Sequence, residues 1–104
     1  MKRIIPFTLL GVASLLALDV QAQNPDLQAR VWSASCAACH GTNGHSQGVF
    51  LSIGGVDKAQ LLQKLIAYKK DQLAATVMHQ HAKGYTDAEL ERLADYFSRQ
   101  KPLN

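Results

Sequence analysis

Two cysteines and a histidine constrain this chain more than any other feature. Cys36-Ala37-Ala38-Cys39-His40 has the spacing C-x-x-C-H. Three residues on a helix make nearly one turn, so the two thiols share a face. Each can then bond to one of two neighbouring positions on the edge of a single flat group. His40, four residues after Cys36, projects from nearly the same stripe. A porphyrin with two vinyl groups on one edge and iron at its centre uses all three side chains at once. The thiols add to the vinyls as thioethers, and an imidazole nitrogen is held beneath the iron as its proximal ligand. The spacing is that of a covalent c-type haem attachment site. Ala37 and Ala38 are small and do not crowd the ring plane.

Two other chemistries use parts of this pattern. Cys36, Cys39 and His40 could join His45, His79 or His81 around zinc, but such structural sites usually carry a second Cys or His pair at tight spacing. A redox-active dithiol also uses C-x-x-C, but it belongs beside a βαβ pattern. No strand pattern is visible here, and the expected fold is all-α.

The sequence has 104 residues, enough for one small domain. Lys2 and Arg3 precede an apolar run from Ile4 to Leu18, closed by Asp19, and Val20-Gln21-Ala22 has the small-x-small shape of a cleavage site. This reads as a secretory signal peptide, residues 1–22. A retained anchor is the alternative, but the run is shorter than the roughly 20 residues needed to span a bilayer. The expected domain is then 23–104. Its 82 residues form a domain small enough to need a cofactor or other staple. Export places the cysteines in an oxidising compartment, yet a two-residue spacer makes a strained disulfide, so thioether attachment is the better use of the pair. The nine Lys or Arg and seven Asp or Glu of that domain leave a mild positive charge, too small to argue for nucleic acid.

Asn24-Pro25-Asp26 suits a helix start, with Asn24 as the cap and Pro25 at the first helical position. Leu27, Val31 and Ala34 form one stripe of that helix. Trp32, Cys36 and Cys39 form another, which would set Trp32 on the haem-facing side, as an aromatic core residue or with its indole N–H bonded to a haem propionate. Gly41 to Gly55 reads as a loop whose Phe50, Leu51 and Ile53 fold onto the haem edge, with His45 exposed. Asp57 and Gln60 announce a second helix, with Val56 and Leu61 as its hydrophobic staple. Its buried face is Leu61, Leu62, Leu65 and Ile66. Lys58, Lys64, Lys69 and Lys70 read as its solvated face, or as the rim of a docking surface for an acidic partner.

Asp71 to Tyr85 is less regular, with Leu73 and Val77 spaced for a short helical turn. Met78 follows, on a polar loop, and is the single methionine of the expected domain. A six-coordinate haem needs a second axial ligand, and a thioether raises the reduction potential relative to a second histidine. Met78 is the candidate, with His79 and His81 as rivals that would otherwise sit exposed beside the crevice. Thr86 and Glu89 then form a capping box, with Tyr85 and Leu90 as the staple. Leu90, Leu93, Ala94 and Phe97 make an apolar stripe, expected to pack on Leu27 and Val31. Asp95 and Arg99 can pair across one turn.

Three stretches together carry a family resemblance: Cys36-Ala37-Ala38-Cys39-His40-Gly41, Thr76-Val77-Met78, and Thr86-Asp87-Ala88-Glu89-Leu90 running into Leu93-Ala94-Asp95-Tyr96-Phe97. In that order they resemble a class I c-type cytochrome, from about Leu27 to Arg99. The resemblance implies three to four short helices around one haem c. It makes His40 and Met78 the iron ligands and Cys36 and Cys39 the covalent tethers. Many members have a proline where this chain has Leu51, in a loop whose backbone carbonyl accepts the proximal histidine's other N–H. Its replacement implies a less rigid loop and a slightly different potential.

A narrower resemblance rests on His81-Ala82-Lys83-Gly84-Tyr85-Thr86-Asp87 and Leu93-Ala94-Asp95-Tyr96-Phe97. These are similar to cytochrome subunits of flavocytochrome c sulfide dehydrogenases, which receive electrons from a flavoprotein. With both axial positions filled, the implied role is outer-sphere electron transfer in the periplasm, as a carrier or electron-accepting subunit and not as an enzyme. A general shuttle to a terminal oxidase or reductase is the alternative. A ligand-binding or peroxidatic haem protein would need Met78 off the iron.

Overall fold

The computed structural model describes residues 25–102. The expected signal peptide, residues 1–22, and the proposed cap Asn24 lie outside them. Four helices follow in order: α1 (Pro25–His40), α2 (Lys58–Lys69), α3 (Met78–Lys83) and α4 (Asp87–Ser98). A 3-10 turn, Thr42–Gly44, follows α1. The described residues contain no strand, as an all-α fold requires.

Two of the three anticipated helix starts show their caps as local chemistry dictates. Asp57 caps α2 by accepting from the Gln60 N–H at 3.2 Å. At α4 both halves of the capping box are present: Thr86 Oγ1 accepts from the Glu89 N–H at 3.2 Å, and Glu89 Oε2 accepts from the Thr86 N–H at 2.8 Å. These bonds satisfy main-chain donors that the helix itself leaves unpaired.

The centre of the molecule is the α4 stripe. Leu90, Leu93, Ala94 and Phe97 are buried, and Leu61 of α2 completes their cluster. Trp32 and Cys36 of α1, Ile53 and Val56 of the long loop, and Leu62, Leu65 and Ile66 of α2 pack around it, half-buried. Helices α1 and α2 both contact α4, and α3 lies on α2.

The face of α1 against α4 is not the one that hydropathy suggested. Leu27 and Val31 are 55% and 60% exposed, whereas Ala29 and Ser33 are buried. Ala29, Trp32, Ser33 and Cys36 recur at i, i+3, i+4 and i+7, one helical stripe. Small side chains at two of these positions let the helix backbones approach, and Ser33 hides its hydroxyl by donating to the Arg30 carbonyl at 2.7 Å. The larger aliphatic pair is left on the outside.

Helix α3 is a second departure. Met78 does not sit on a loop but opens a six-residue helix. Its sequence, Met-His-Gln-His-Ala-Lys, has no apolar stripe and its N-cap Val77 offers no side-chain bond. Packing on α2 through the buried Ala82 sustains it instead. The expected turn from Leu73 to Val77 is an exposed, non-helical connection.

Two of the α2 lysines read as a solvated face reach across to α4. Lys58 pairs with Glu91 at 3.3 Å and Lys69 with Asp87 at 2.8 Å. Lys83 pairs with Asp71 at 2.7 Å, and the anticipated Asp95–Arg99 pair forms at 3.0 Å. Such exposed pairs add little stability individually.

Candidate haem site

A cavity of about 270 Å³ opens between the C-terminal turn of α1, the long loop, α2, α3 and the inner face of α4. Helix α1 contributes Cys36, Cys39 and His40 to its wall, and α3 contributes Met78 from the other direction. All four residues singled out in the sequence therefore line one cavity, although thirty-eight positions separate His40 from Met78.

His40 is fixed by the loop that follows it. Its Nδ1 donates to the main-chain carbonyl of Leu51 at 2.6 Å. A carbonyl only accepts, so the proton is on Nδ1 and the lone pair of a neutral imidazole is on Nε2. A metal-binding histidine needs this arrangement: one nitrogen anchored, the other turned outward. Gly41 breaks the helix with φ of +82°, where a Cβ would collide with the His45 carbonyl. Gly44, at φ +78°, receives the returning loop on its carbonyl, which accepts the N–H groups of Ile53 at 2.8 Å and Gly54 at 3.0 Å. The Ser52 hydroxyl accepts from the Ser46 N–H at 2.9 Å. The Leu51 carbonyl is thus held by a loop pinned just beyond it, at Ser52, Ile53 and Gly54.

The two thiols sit in different surroundings. Cys36 is half-buried against the core, and Cys39 is exposed. Burial pushes the Cys36 thiol above its ordinary range, and a hydrogen bond with Ser35 partly offsets it. No disulfide joins them. Ser35 also shares a 3.1 Å hydrogen bond with the Tyr85 hydroxyl, which ties α1 to the segment before α4 at the cavity wall.

The rest of the wall is mainly apolar. Phe50, Leu51 and Ile53 line it as anticipated, although Phe50 and Leu51 are themselves 52% and 68% exposed. Leu61, Leu65 and Tyr68 come from α2, and Leu93, Ala94 and Phe97 form the floor. Tyr68 was not singled out in the sequence. Its spacing from Leu61 and Leu65, at i, i+4 and i+7, was the available signal. Lys64 and Tyr85 also line the cavity, beyond the solvated-face and staple roles first read for them.

Three expectations change. Trp32 does not line the cavity; it packs at the core edge, with Tyr85 edge-on at 6.2 Å and the Arg92 guanidinium 4.8 Å above its ring. His45 is half-buried with its ring beside Gly54, and His79 is half-buried; neither lines the cavity. His81 is exposed and does line it. Among the described residues no three His, Cys, Asp or Glu side chains converge as a metal cluster, so zinc gains no support from His45, His79 or His81.

The donor set fits a haem. Two thiols and an imidazole lie at one end of an apolar cavity that a thioether also lines, with the imidazole already anchored for metal binding. The sequence of residues 23–97 matches the family described as cytochrome c oxidase, cbb3-type, subunit III. The chain belongs to the cytochrome c family. It is 42% identical over 74 residues to the cytochrome subunit of sulfide dehydrogenase from Chlorobaculum tepidum, covering 71% of this chain and 67% of that one. It is also 32% identical to cytochrome c-553 of Nitratidesulfovibrio vulgaris, over 95% of this chain and 99% of that one. A further relative, cytochrome c-554(547) of Halothiobacillus neapolitanus, is 26% identical over 68% of this chain. This c-type cytochrome carries covalent haem c in an all-α cytochrome c fold and serves electron transfer. No helix among its described residues is long and apolar enough to cross a membrane.

Proposed function

We propose that this cytochrome is an exported, monohaem electron acceptor for a flavoprotein dehydrogenase of the sulfide-oxidising kind. Cys36 and Cys39 would tether the porphyrin, and His40 Nε2 and the Met78 thioether would hold its iron. Residues 1–22 are its export signal, and the periplasm is where it works. One observation carries the axial assignment: His40, oriented by the Leu51 carbonyl, and Met78 line the same cavity from different helices. The flavoprotein partner is supported by the similarity to a sulfide dehydrogenase subunit.

The bound haem supplies an iron that accepts and releases one electron between its ferric and ferrous states. The chain's own residues set the conditions for that exchange. With His40 and Met78 both holding the iron, no coordination place would be left for a substrate, and electron transfer would be outer-sphere. The apolar wall of Leu61, Leu65, Leu93 and Phe97 lowers the local dielectric, and a thioether ligand with low-dielectric burial tunes the potential. The exposed Phe50, Leu51 and Val77 sit on the cavity wall, where a partner can approach.

A self-standing shuttle is the second reading, favoured by the full-length match to a small cytochrome c-553. Capture from the native periplasm separates the two. A co-purifying flavoprotein that reduces the haem on addition of sulfide supports the first. A lone cytochrome that sulfide and such a flavoprotein leave oxidised supports the second. The axial assignment is tested by spectroscopy of the purified protein: low-spin c-type bands with a weak near-infrared sulfur-to-iron band are expected. Five-coordinate, high-spin bands would overturn it.

A further inference from the structure

We propose that His81 is a reserve distal ligand: it takes the iron when the Met78 thioether leaves, and keeps the haem closed to small ligands. The proposal rests on the reading above, with Met78 as the ordinary ligand.

The first ground is placement. Among the described residues other than His40, His81 is the one histidine on the cavity wall. It lies three positions after Met78 on the same helix, and residues at i and i+3 are surface neighbours about 5–6 Å apart at Cβ. Both side chains line the cavity, one half-buried and one exposed. His79, one position from Met78, does not line it.

The second ground is that α3, although packed on α2, is short and has no side-chain cap. It has six residues, with no side-chain bond at its N-cap. The connection before it is exposed throughout residues 70–77, and Gly84 follows it. Its anchors are the buried methyl of Ala82 and the exposed Lys83–Asp71 pair. Bringing i+3 to the place of i needs a slide of about 4.5 Å along the axis and a rotation of about 60°. The exposed connection at residues 70–77 can follow such a movement, while the buried Ala82 shifts its seat on α2.

The chemistry balances simply. A sulfur lone pair leaves the iron and an imidazole nitrogen lone pair replaces it; no electron is transferred and no proton need move for a neutral ring. Lys64 and Tyr68 line the cavity from α2, but an ammonium or a phenol must give up a proton before it can bind a metal, whereas a neutral imidazole already carries a free lone pair. Imidazole is the side chain suited to the task near neutral pH.

The test uses the haem-loaded protein. Met78→Leu should lose the near-infrared sulfur-to-iron band yet remain low-spin, with a bis-imidazole electron paramagnetic resonance signal. Met78→Leu with His81→Ala should turn high-spin and bind carbon monoxide at least tenfold more tightly than Met78→Leu alone. Met78→Leu with His79→Ala should match Met78→Leu. A high-spin Met78→Leu, or a Met78→Leu/His81→Ala protein that stays low-spin, overturns the proposal. His81→Ala alone gives a readout independent of maturation at Met78: cyanide should bind the ferric protein several-fold faster, because nothing then competes for the opened iron. An unchanged rate overturns the proposal. If the unmutated protein lacks the sulfur-to-iron band and His81→Ala alone turns it high-spin, His81 is the ordinary ligand and the underlying reading fails with the proposal.

Discussion

His40 and Leu51 are joined by a 2.6 Å hydrogen bond from imidazole Nδ1 to a main-chain carbonyl. The bond selects the tautomer that leaves Nε2 for a metal, and it does so with backbone, which no side-chain substitution at position 51 removes. Leu51 stands where many members of the family have a proline. The loop therefore gets its rigidity from elsewhere: Gly44, whose carbonyl holds the Ile53 and Gly54 N–H groups, and Ser52, which holds Ser46.

Gly44→Ala tests that source of rigidity. The residue has φ of +78°, and a Cβ there would lie 2.6 Å from the Gly54 nitrogen and 2.9 Å from Phe97 Cδ1. A left-handed non-glycine residue costs about 1–2 kcal/mol, and overpacking adds about 1–3 kcal/mol. We expect a loss of about 3 kcal/mol in chemical denaturation of the haem-loaded protein. Gly48→Ala is the control. A Cβ at Gly48 meets nothing within 4 Å, so the change should stay within about 0.5 kcal/mol. Equal effects at the two positions would show that Gly44 is not the loop's anchor.

What could be read in advance depended on whether the signal was local. Helices α2 and α4 announced themselves because Asp57, Thr86 and Glu89 cap main-chain groups three residues away. The four cavity donors were legible because C-x-x-C-H is a local spacing and Met78 is the single methionine after the expected cleavage point. Helix α3 was not legible, since its stability comes from packing on α2 and not from its own six residues. The α1 face was misjudged for a related reason. Hydropathy ranks Leu27 and Val31 above Ala29 and Ser33, but close helix contact selects small side chains, a property of the pair of helices. Tyr68 and His81 reach the cavity only through tertiary placement, which spacing alone could suggest but not decide.

Thr86→Ala removes one half of the α4 capping box and leaves the Glu89 N–H without its side-chain acceptor. Loss of such a cap costs about 1 kcal/mol. Thr86→Ser should restore most of it. Because Thr86 does not line the cavity, the visible spectrum should be unchanged in both variants while the thermal midpoint falls only in the alanine variant. A spectral change in Thr86→Ala would mean that the start of α4 also positions the site.

The cysteines should not be equivalent. Replacing either by alanine removes one thioether, so mass spectrometry of protein matured in competent cells should show a lower yield of covalent haem in both variants. Cys36 additionally packs against the Leu61 and α4 cluster, whereas Cys39 is exposed. Losing the half-buried sulfur forfeits about 1 kcal/mol of apolar contact. The singly tethered Cys36→Ala protein should therefore denature earlier than singly tethered Cys39→Ala. Equal midpoints would show that Cys36 acts only as a tether.

The Lys69–Asp87 pair gives a pH dependence of known sign. A hydrogen bond from Lys69, and then its charge, lower the Asp87 carboxyl below its ordinary value. A carboxyl whose folded value is depressed binds its proton more readily in the unfolded chain. Its contribution to stability is therefore complete above the unfolded value of about 3.9, and is lost as pH falls through the lower folded value. Asp87 is exposed, and an exposed pair is screened by salt. Asp87→Asn should thus be slightly less stable than the unmutated protein at neutral pH in low salt. The two should converge once pH has fallen below the depressed folded value, and also at neutral pH in high salt. Denaturation curves at low and high salt across that range check this; a difference that persists in acid or in high salt would point to helix capping, not the ion pair, as what Asp87 contributes.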